Sequence, residues 1–565
     1  MEKILSETNG SRLEKLEARF SRHSREWGTT SNPSPAFEES APSPIQLLDG
    51  RLSGRLLESY EILTHRIEII EPIRPCGERI YSPVKTLNQL ELDLVEEISR
   101  RLRCGEGGSI ARGFSELVED RVRIAASETE RSGLGIPESA KVRIALISSY
   151  HSLNMLKVLP YLLDDEVEEI FLDARGTEFF IDHRRWGRCI TPTKLTAGEI
   201  KTLETRVRAE SGLRLDQSSP SIKTDLITRD FRTRFSIDVS PLAEGGFSLD
   251  IRKLRRREFT LPELIKNGTL PPAAAAYLFF LLSRRRNIIV IGEPGSGKTT
   301  LINSLDLMTP KSWRKITIED TIESVDQTRY GKHQTRFKVH PFESKTEYLR
   351  TKSSEIVKLL HRAPDWIYLG EIQTPEHTKA MFHAFSAGLR GLQTTHAASP
   401  EEAVHRWIAH HDIPPVCLND LDVIVHIKKL DFKKENPRRV VQICEAEVSS
   451  ERSAEKMKES LPLPEISIHN IFAWNPDEQR LMLVGDPWGS RPVQKIRHYE
   501  KIDKMSFETE IETYREILEY LSEREVFDIE KNVEIFHLVN LIRERGELLR
   551  FQSLEILRKI IENPA

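Results

Sequence analysis

The chain has 565 residues, which is too many for one ordinary hydrophobic core, so we expect about two to four domains. Charged residues make up 30% of the chain, yet acids and bases nearly cancel to a formal net charge of -4. This balance excludes a general electrostatic attraction to nucleic acid or anionic lipid, so any such binding has to be local. The five cysteines lie far apart without a CxxC pair, which argues against a zinc knuckle or redox couple and favours a reducing, intracellular setting.

Two segments bear on the relation of the chain to membranes. Residues 1–25 lack the apolar core of a signal peptide, so we do not expect the chain itself to be secreted. The longest apolar run, residues 270–282, contains Pro271 and Pro272 and is shorter than the roughly 20 residues that span a bilayer. We therefore expect this run to form a buried helix.

The first 256 residues divide into three predicted regions. Residues 1–44, whose second half is rich in Ser, Pro and Thr, are expected to be a flexible N-terminal segment. Residues 45–160, with helical stretches at 87–102 and 114–126, are expected to form a mostly helical first domain and a docking site for a partner. Residues 161–256 combine strand patterns at 167–175, 178–183 and 234–239 with a helical stretch at 197–210, which predicts an α+β domain.

The rest of the chain divides into two predicted regions. In residues 257–450, helical stretches alternate with short apolar runs at 288–291, 315–318, 366–369, 392–395, 423–427 and 440–443. This alternation predicts an α/β domain with a largely parallel sheet covered on both faces. Residues 451–565 are expected to be a mainly helical extension, in which Ser506 caps a helix that carries Ile511, Tyr514, Leu518 and Leu521 on one face.

A phosphate-binding loop follows the first of these apolar runs. Its residues fit the pattern GxxxxGK[ST], with a strand before it and a helix after it. Glycines permit backbone angles that turn successive N–H groups toward phosphate oxygens, and the helix N-terminus adds its positive dipole. We expect Lys298 to reach the β and γ phosphates of ATP and the Thr299 hydroxyl to bind Mg²⁺. The predicted nucleotide-binding residues are Gly292, Glu293, Pro294, Gly295, Ser296, Gly297, Lys298, Thr299 and Thr300.

Two acidic clusters and one histidine follow later strands. Residues 319–323, which end in Glu323, follow the run 315–318, and Glu371 follows the run 366–369. Ligands of such sheets lie outside the carboxyl ends of the strands, so these acids are candidates for the hydrolytic step. A solvated loop charge is the alternative for each acid taken alone. His396 ends the strand 392–395 and is expected to reach a phosphate or the acids and report nucleotide state, with a structural role as the alternative.

Four motifs in this order resemble the type II/type IV secretion and pilus-assembly ATPases, a superfamily of hexameric motors with a RecA-like core. The P-loop is followed by segments similar to the family's Asp box at 317–323, its Walker B ending in Gly-Glu at 359–371, and its His box at 388–397. The resemblance covers roughly residues 165–450 and is strongest from 287 to 400. One departure is Gln373, where the family usually has an arginine.

The archaeal branch of this family, which includes archaellum and archaeal pilus motors, is the most similar. The chain lacks the four-cysteine zinc insertion of many bacterial members, and the strand at 438–445 and the helical tail look more like archaeal members.

The resemblance implies roles for individual residues. Glu323 is expected to polarise the attacking water and Glu371 to support Mg²⁺ or that water, although the two roles can be exchanged. Arg234 and Arg252 match strands that carry phosphate-directed arginines in the family. The α+β domain is expected to close over the nucleotide, and formation of a homo-hexamer is expected to help complete each site.

Three functions remain open at this point. The leading hypothesis is a cytoplasmic ATPase, peripheral to the membrane through a polytopic platform protein, that drives assembly of a pilus, archaellum or secretion filament without binding nucleic acid. The second is a motor that translocates nucleic acid in DNA uptake or conjugation, against which the balanced charge argues. The third is a scaffold that binds nucleotide without turnover.

Overall fold

The computed structural model describes residues 47–48, 51–52, 54–72, 78–104, 113–254, 258–339, 351–430, 437–448 and 466–546. The predicted flexible segment 1–44 lies outside these residues. Residues 1–53 and residues 54–565 form two separate units. In the first unit, strand β1 (Leu47–Leu48) pairs with strand β2 (Arg51–Leu52) in antiparallel orientation.

A nine-stranded sheet, here called the first sheet, forms between residues 54 and 254. Its strands are β3 (Gly54–Glu61), β4 (His65–Pro72), β5 (Arg79–Lys85), β6 (Val167–Leu172), β7 (Glu178–His183), β8 (Gly187–Lys194), β9 (Ser221–Ile227), β10 (Arg232–Val239) and β11 (Phe247–Leu254). Their spatial order is β3-β4-β5-β8-β7-β6-β11-β10-β9, and all neighbours are antiparallel except β5 and β8. The helices of this region are α1 (Gln89–Cys104), α2 (Phe114–Arg131), α3 (Glu138–Ser152), α4 (Leu159–Leu163) and α5 (Ala197–Ser211).

The first sheet crosses the domain boundary that the sequence analysis placed at residue 160. Strands β3 to β5 were expected to belong to a mostly helical domain, but they join the strands of the predicted α+β domain in one sheet. Ile67, Ile69 and Tyr81 are fully buried in the same core as Phe179 and Ile181. The alternation Arg66-Ile67-Glu68-Ile69 is the period of two that identifies a strand, and the sequence analysis did not use it. The helices predicted at 87–102 and 114–126 are present as α1 and α2.

A second nine-stranded sheet, here called the second sheet, lies between residues 288 and 483. Its strands are β12 (Ile288–Gly292), β13 (Lys315–Glu319), β14 (Gln334–Lys338), β15 (Trp366–Glu371), β16 (Gly391–His396), β17 (Val423–Lys429), β18 (Arg438–Val448), β19 (Ile466–Asn475) and β20 (Arg480–Leu483). The order is β14-β13-β15-β16-β12-β17-β18-β19-β20. The first six strands in this order, which end with β17, are parallel to one another. Strands β18, β19 and β20 continue the sheet in antiparallel orientation.

Helices pack on both faces of the second sheet. They are α6 (Leu261–Lys266), α7 (Pro272–Leu282), α8 (Lys298–Asp306), α9 (Lys352–Lys358), α10 (Pro375–Ser386), α11 (Pro400–His405), α12 (Arg491–Glu500), α13 (Lys504–Glu523) and α14 (Ile529–Glu544). Short 3₁₀ or π turns occur at Thr328–Tyr330, Leu359–His361, Arg406–His410 and Pro415–Asp420. Ile288 and Val290 belong to one hydrophobic core, whereas the alternating Ile289 and Ile291 belong to another. The predicted RecA-like α/β core with a largely parallel sheet is therefore confirmed.

All six strands predicted between residues 257 and 450 are present, but strands β14, β19 and β20 were not predicted. Strands β19 and β20 occupy the start of the extension that was expected to be mainly helical, and three helices follow them. The cap of helix α13 also differs from the prediction. Asp503, rather than Ser506, is the capping residue, because its carboxylate accepts a hydrogen bond of 2.7 Å from the Ser506 backbone N–H.

The apolar run at 270–282 forms helix α7, and its residues from Ala274 to Leu282 are buried, as predicted. Among the described residues, we find no helix that is both long enough and apolar enough to span a bilayer. The C-terminal helices pack against α7, and Phe279 makes edge-to-face contacts with Tyr514 and Phe536. The C-terminal extension is thus part of the core of the second sheet.

A buried ion pair fixes helix α13 to the end of helix α7. The Arg284 guanidinium donates from Nη1 and Nη2 to the two carboxylate oxygens of Glu510, each at 2.8 Å. The Arg284 and Glu510 side chains are only 4% and 9% exposed, and the Tyr514 hydroxyl also donates to Glu510 at 2.6 Å. Removal of this carboxylate would take an acceptor from three buried donor groups, two on Arg284 and one on Tyr514.

We predict that Glu510→Ala lowers the free energy of unfolding, measured by urea denaturation, by about 3 kcal/mol. The matched control is Glu512→Ala on the same helix, which removes an exposed ion pair with Arg515 and is expected to cost less than about 1 kcal/mol. Equal losses in the two variants would show that the buried pair does not anchor the C-terminal helices.

Candidate functional site

The predicted P-loop connects the end of strand β12 to the start of helix α8. Gly295 and Gly297 have φ angles of +71° and +100°, which are left-handed conformations that favour glycine, and helix α8 begins directly after Gly297. Strand β12 lies between the parallel strands β16 and β17, so the loop emerges at the carboxyl edge of the sheet. The strand, glycine turn and helix that the sequence predicted are all present.

The Lys298 ammonium is buried in the loop, with 7% of the residue exposed. Its Nζ donates to the carbonyl oxygens of Gly292 at 3.0 Å and Glu293 at 2.9 Å, and it lies 3.0 Å from Nδ1 of His396. Burial lowers the pKa of Lys298 to about 8. The ammonium is thus held by three acceptors at the position where the motif places a phosphate contact.

His396 joins Lys298 to Glu371. Gly292 and His396 are register partners in the parallel pair β12 and β16, which brings the histidine to the loop. An ammonium can only donate, so Nδ1 of His396 accepts from Lys298 and Nε2 carries the proton that faces the Glu371 carboxylate. Burial alone would raise the pKa of Glu371, but hydrogen bonds from His396 and Gln373 bring it down to about 2. Gln373, the departure from the family pattern, therefore contacts the Walker B acid.

Glu323 lies on the other side of the loop and has two donors. Its Oε2 accepts from the Thr299 hydroxyl at 2.9 Å, and its Oε1 accepts from Arg234 Nη2 at 3.1 Å. Arg234 lies on strand β10 of the first sheet and is also paired with Asp225 at 3.3 Å. The Glu323 carboxylate therefore links the P-loop to the first sheet.

The buried Glu319 holds the turn that carries Glu323. Its carboxylate accepts from the backbone N–H groups of Glu323 at 3.1 Å and Ser324 at 3.0 Å, and from the Ser324 hydroxyl at 2.6 Å. Burial raises the pKa of Glu319 to about 7. Within the acidic cluster 319–323, Glu319 thus holds the turn in place, and Glu323 is the acid that contacts the P-loop.

A cavity of about 390 Å³ lies between the two sheets, within the range typical of small-molecule sites. Lys298, Thr299 and Glu323 line it from the second sheet, and Arg252 and Glu169 line it from the first. The half-exposed Arg252 guanidinium pairs with Glu169 at 3.7 Å across strands β11 and β6. The structure therefore brings Arg234 to the acid beside the P-loop and places Arg252 on the opposite wall.

Two cations in this region were missed by the sequence analysis. Arg438 donates from Nε to the Gly295 carbonyl at 2.8 Å and from Nη2 to Glu168 at 2.7 Å. The buried Lys352 donates to the backbone carbonyl of Glu371. Arg438 is opposite Lys429, three residues beyond the last β17 residue that pairs with the P-loop strand. A correct antiparallel register for β18 would therefore have located it.

The donor set fits a magnesium ion shared with phosphates. The described residues contain no cluster of three or more His, Cys, Asp or Glu side chains that would hold a metal by itself. Mg²⁺ in nucleotide sites is usually bound by one or two side chains together with phosphate oxygens and waters. Thr299 offers a hydroxyl at this position, Glu323 offers a carboxylate in contact with it, and Glu371 offers a second carboxylate beside His396.

Comparison with known proteins gives the family. A sequence model described as type II/IV secretion system protein matches residues 158–501. The chain belongs to this family. It is 28% identical over 260 residues to an uncharacterised protein of Methanocaldococcus jannaschii, covering 46% of this chain and 90% of that protein. The type IV secretion system protein PtlH homolog of Bordetella bronchiseptica is 28% identical over 269 residues, covering 44% of this chain and 77% of that protein.

Among solved structures, the X-ray structure of the Yersinia pseudotuberculosis ATPase DotB is similar, with 14% sequence identity and a TM-score of 0.40. The similarity covers 68% of this chain and 94% of that chain. The match to the type II/IV secretion model begins just after helix α3, continues through the second sheet and ends at helix α12. It includes the P-loop, both acidic clusters and His396.

The two acidic clusters pack closely at Gly370, which allows a direct prediction. Gly370 has a φ of +60°, and an added Cβ would lie 3.0 Å from Cγ of Glu319. We predict that Gly370→Ala lowers the free energy of unfolding by about 2 kcal/mol, from backbone strain and displacement of Glu319.

The matched control is Gly212→Ala at the end of helix α5, because Gly212 has a similar φ of +67° but an added Cβ would meet no atom within 4 Å. Urea denaturation should show a smaller loss for this variant, since it carries the backbone strain alone. A loss for Gly212→Ala as large as that for Gly370→Ala would contradict the tight packing of the acidic clusters.

Proposed function

We propose that this chain is a Mg²⁺-dependent ATPase that works as a hexameric motor and powers assembly of a type IV pilus-like, archaellum or secretion filament. The observation that carries the proposal is the convergence of acids and cations on the P-loop. Lys298, His396 and Glu371 meet on one side, and Thr299 and Glu323 meet on the other. Membership of the type II/IV secretion family supports the class of machine.

The P-loop residues bind and orient the triphosphate in this proposal. Lys298 exchanges His396 for phosphate oxygens, because a buried ammonium gains more from an anion than from a neutral imidazole. Thr299 and Glu371 would hold Mg²⁺, which would neutralise charge on the phosphates. His396 keeps its bond to Glu371 and so fixes the orientation of that carboxylate.

Glu323 polarises the attacking water. Its carboxylate is already oriented by Thr299 and Arg234, and Glu319 fixes the turn on which it lies. A carboxylate in a fixed position next to the γ phosphate is the arrangement that phosphoryl transfer to water requires. The contact of Glu323 with Thr299 also supports the exchanged assignment, in which Glu323 would bind the magnesium ion and Glu371 would polarise the attacking water.

Closure of the first sheet over the nucleotide couples hydrolysis to movement. Arg252 lines the cavity from the first sheet, and Arg234 contacts Glu323 at its edge, where guanidinium groups suit the developing phosphate charge. We place the motor at the cytoplasmic face of the membrane, bound to a polytopic platform protein, with neighbouring subunits of a homo-hexamer completing each site. We expect no nucleic-acid partner.

We predict that Lys298→Ala reduces Mg²⁺-dependent phosphate release from ATP by at least about 100-fold, because the loop loses its phosphate-binding cation. The control is Lys201→Ala, which removes an exposed lysine of helix α5. Steady-state phosphate release from the purified proteins is the measurement. Equal rates for wild type and Lys298→Ala would remove the catalytic role from this loop.

Glutamine variants separate the roles of the two acids. We predict that Glu323→Gln binds a Mg²⁺–ATP analogue normally but loses turnover by about 100-fold or more, as expected when the group that polarises water is removed. We predict that Glu371→Gln raises the Mg²⁺ concentration needed for half-maximal rate. The reverse pattern would mean that the roles are exchanged, and normal turnover in both variants would exclude both acids.

The same assays distinguish the other functions. Stimulation of turnover by single-stranded DNA, without stimulation by a membrane platform protein, would identify a nucleic-acid motor. Normal ATP binding with no turnover in the wild-type protein would identify a nucleotide-binding scaffold.

A further inference from the structure

A β-bulge on strand β6 places two neighbouring carboxylates in the same cavity. Val167 pairs with His183 and Glu169 pairs with Asp182 of strand β7, so Glu168 is an extra residue between two successive pairs. In a regular strand, Glu168 and Glu169 would point to opposite faces, but both line the cavity next to the P-loop. The bulge therefore aims a second acid at the space between the two sheets.

Arg438 spans this space from the other side. Its Nη2 contacts both carboxylate oxygens of Glu168, at 2.7 and 3.0 Å, while its Nε donates to the Gly295 carbonyl at 2.8 Å. The Arg438 and Glu168 side chains are 18% and 23% exposed. One guanidinium thus ties the tip of the P-loop to the first sheet.

The side chain of Arg438 also lies directly against the start of helix α8. An added Cβ at Gly297 would be 3.1 Å from Cδ of Arg438, so the absence of a side chain at Gly297 makes room for the arginine. Arg438 therefore touches the P-loop at Gly295 and at Gly297, the two glycines on either side of Ser296.

The charges around Glu168 favour its ionised form. Burial raises the pKa of Glu168, but the neighbouring cations Arg438, Lys429 and Arg184 outweigh burial and lower it. Glu168 is thus a carboxylate in the cavity wall that faces the P-loop. A nucleoside triphosphate in the cavity brings several negative charges close to that carboxylate, so the two anions compete for Arg438.

We propose that Glu168 and Arg438 form a latch that holds the first sheet on the P-loop in the nucleotide-free protein, and that triphosphate takes Arg438 over from Glu168. Arg438 is then a positioning residue for the phosphates, and release of Glu168 lets the first sheet move to its closed position over the nucleotide. This latch rests on the proposed function, because it requires the P-loop to bind a triphosphate.

The test is the dissociation constant of adenylyl imidodiphosphate with Mg²⁺, measured on the full-length protein. Glu168→Gln keeps the size of the side chain and removes its charge, so we expect binding about fivefold tighter than in wild type. Arg438→Lys keeps a positive charge but loses the planar fork that reaches Gly295 and Glu168 together, so we expect binding about fivefold weaker.

The double variant Glu168→Gln with Arg438→Lys distinguishes a latch from independent charges. Since Glu168 acts by occupying Arg438, its removal should give no gain once Arg438 is lysine, and the double variant should bind like Arg438→Lys alone. The matched control is Glu166→Gln, which makes the same charge change two residues away at a side chain outside the cavity lining. We expect this control to change binding by less than about twofold.

Three results would overturn the latch while leaving the proposed function intact. These are unchanged binding in Glu168→Gln, an equal gain in Glu166→Gln, and a full fivefold gain from Glu168→Gln in the Arg438→Lys background. Absence of analogue binding in wild type would overturn the proposed function as well.

Discussion

The buried Lys298 ammonium is the group on which the arrangement of the site depends. A buried cation needs acceptors on every side, and here they are two carbonyls of the P-loop and Nδ1 of His396. His396 is available only because strands β12 and β16 are parallel neighbours that end at the same level. The imidazole in turn orients Glu371, so one cation fixes the loop, the histidine and the Walker B acid together.

The second feature of the site is that its polar contacts cross between the two sheets. Arg234 of the first sheet reaches Glu323 beside the P-loop, and Arg438 of the second sheet reaches Glu168 of the first. The two sheets thus exchange one arginine each, and each arginine pairs with a carboxylate that lines the same cavity. Anions that bind in the cavity compete with these carboxylates, which gives a physical link between phosphate binding and the position of the first sheet.

Sequence predicted the parts of the site that depend on local pattern. The six strands predicted between residues 257 and 450 are short apolar runs that can be recognised locally. The P-loop, Glu323, Glu371 and His396 lie at or just after the ends of these strands. Because the carboxyl ends of parallel strands meet at one edge of a sheet, the parallel arrangement was enough to place these residues together. Strands β3 to β5 pair with their sequence neighbours, and only the pairing of β5 with β8 joins distant segments and brings them into the first sheet. The position of Arg438 depends on the register of β18 against β17, which the local sequence pattern does not specify. The bulge at Glu168 is likewise set by strand register and left no signal in the sequence pattern.

The central claim is that the P-loop and its neighbouring acids form one hydrolytic site, and a structure with Mg²⁺ and a non-hydrolysable ATP analogue tests it most directly. We predict that Lys298 Nζ leaves His396 Nδ1 and lies about 3 Å from a phosphate oxygen. Thr299 should contact the metal, with Glu323 and Glu371 on either side of the γ phosphate. An analogue bound away from the P-loop, or a Lys298 that still contacts His396 in the occupied site, would contradict the claim.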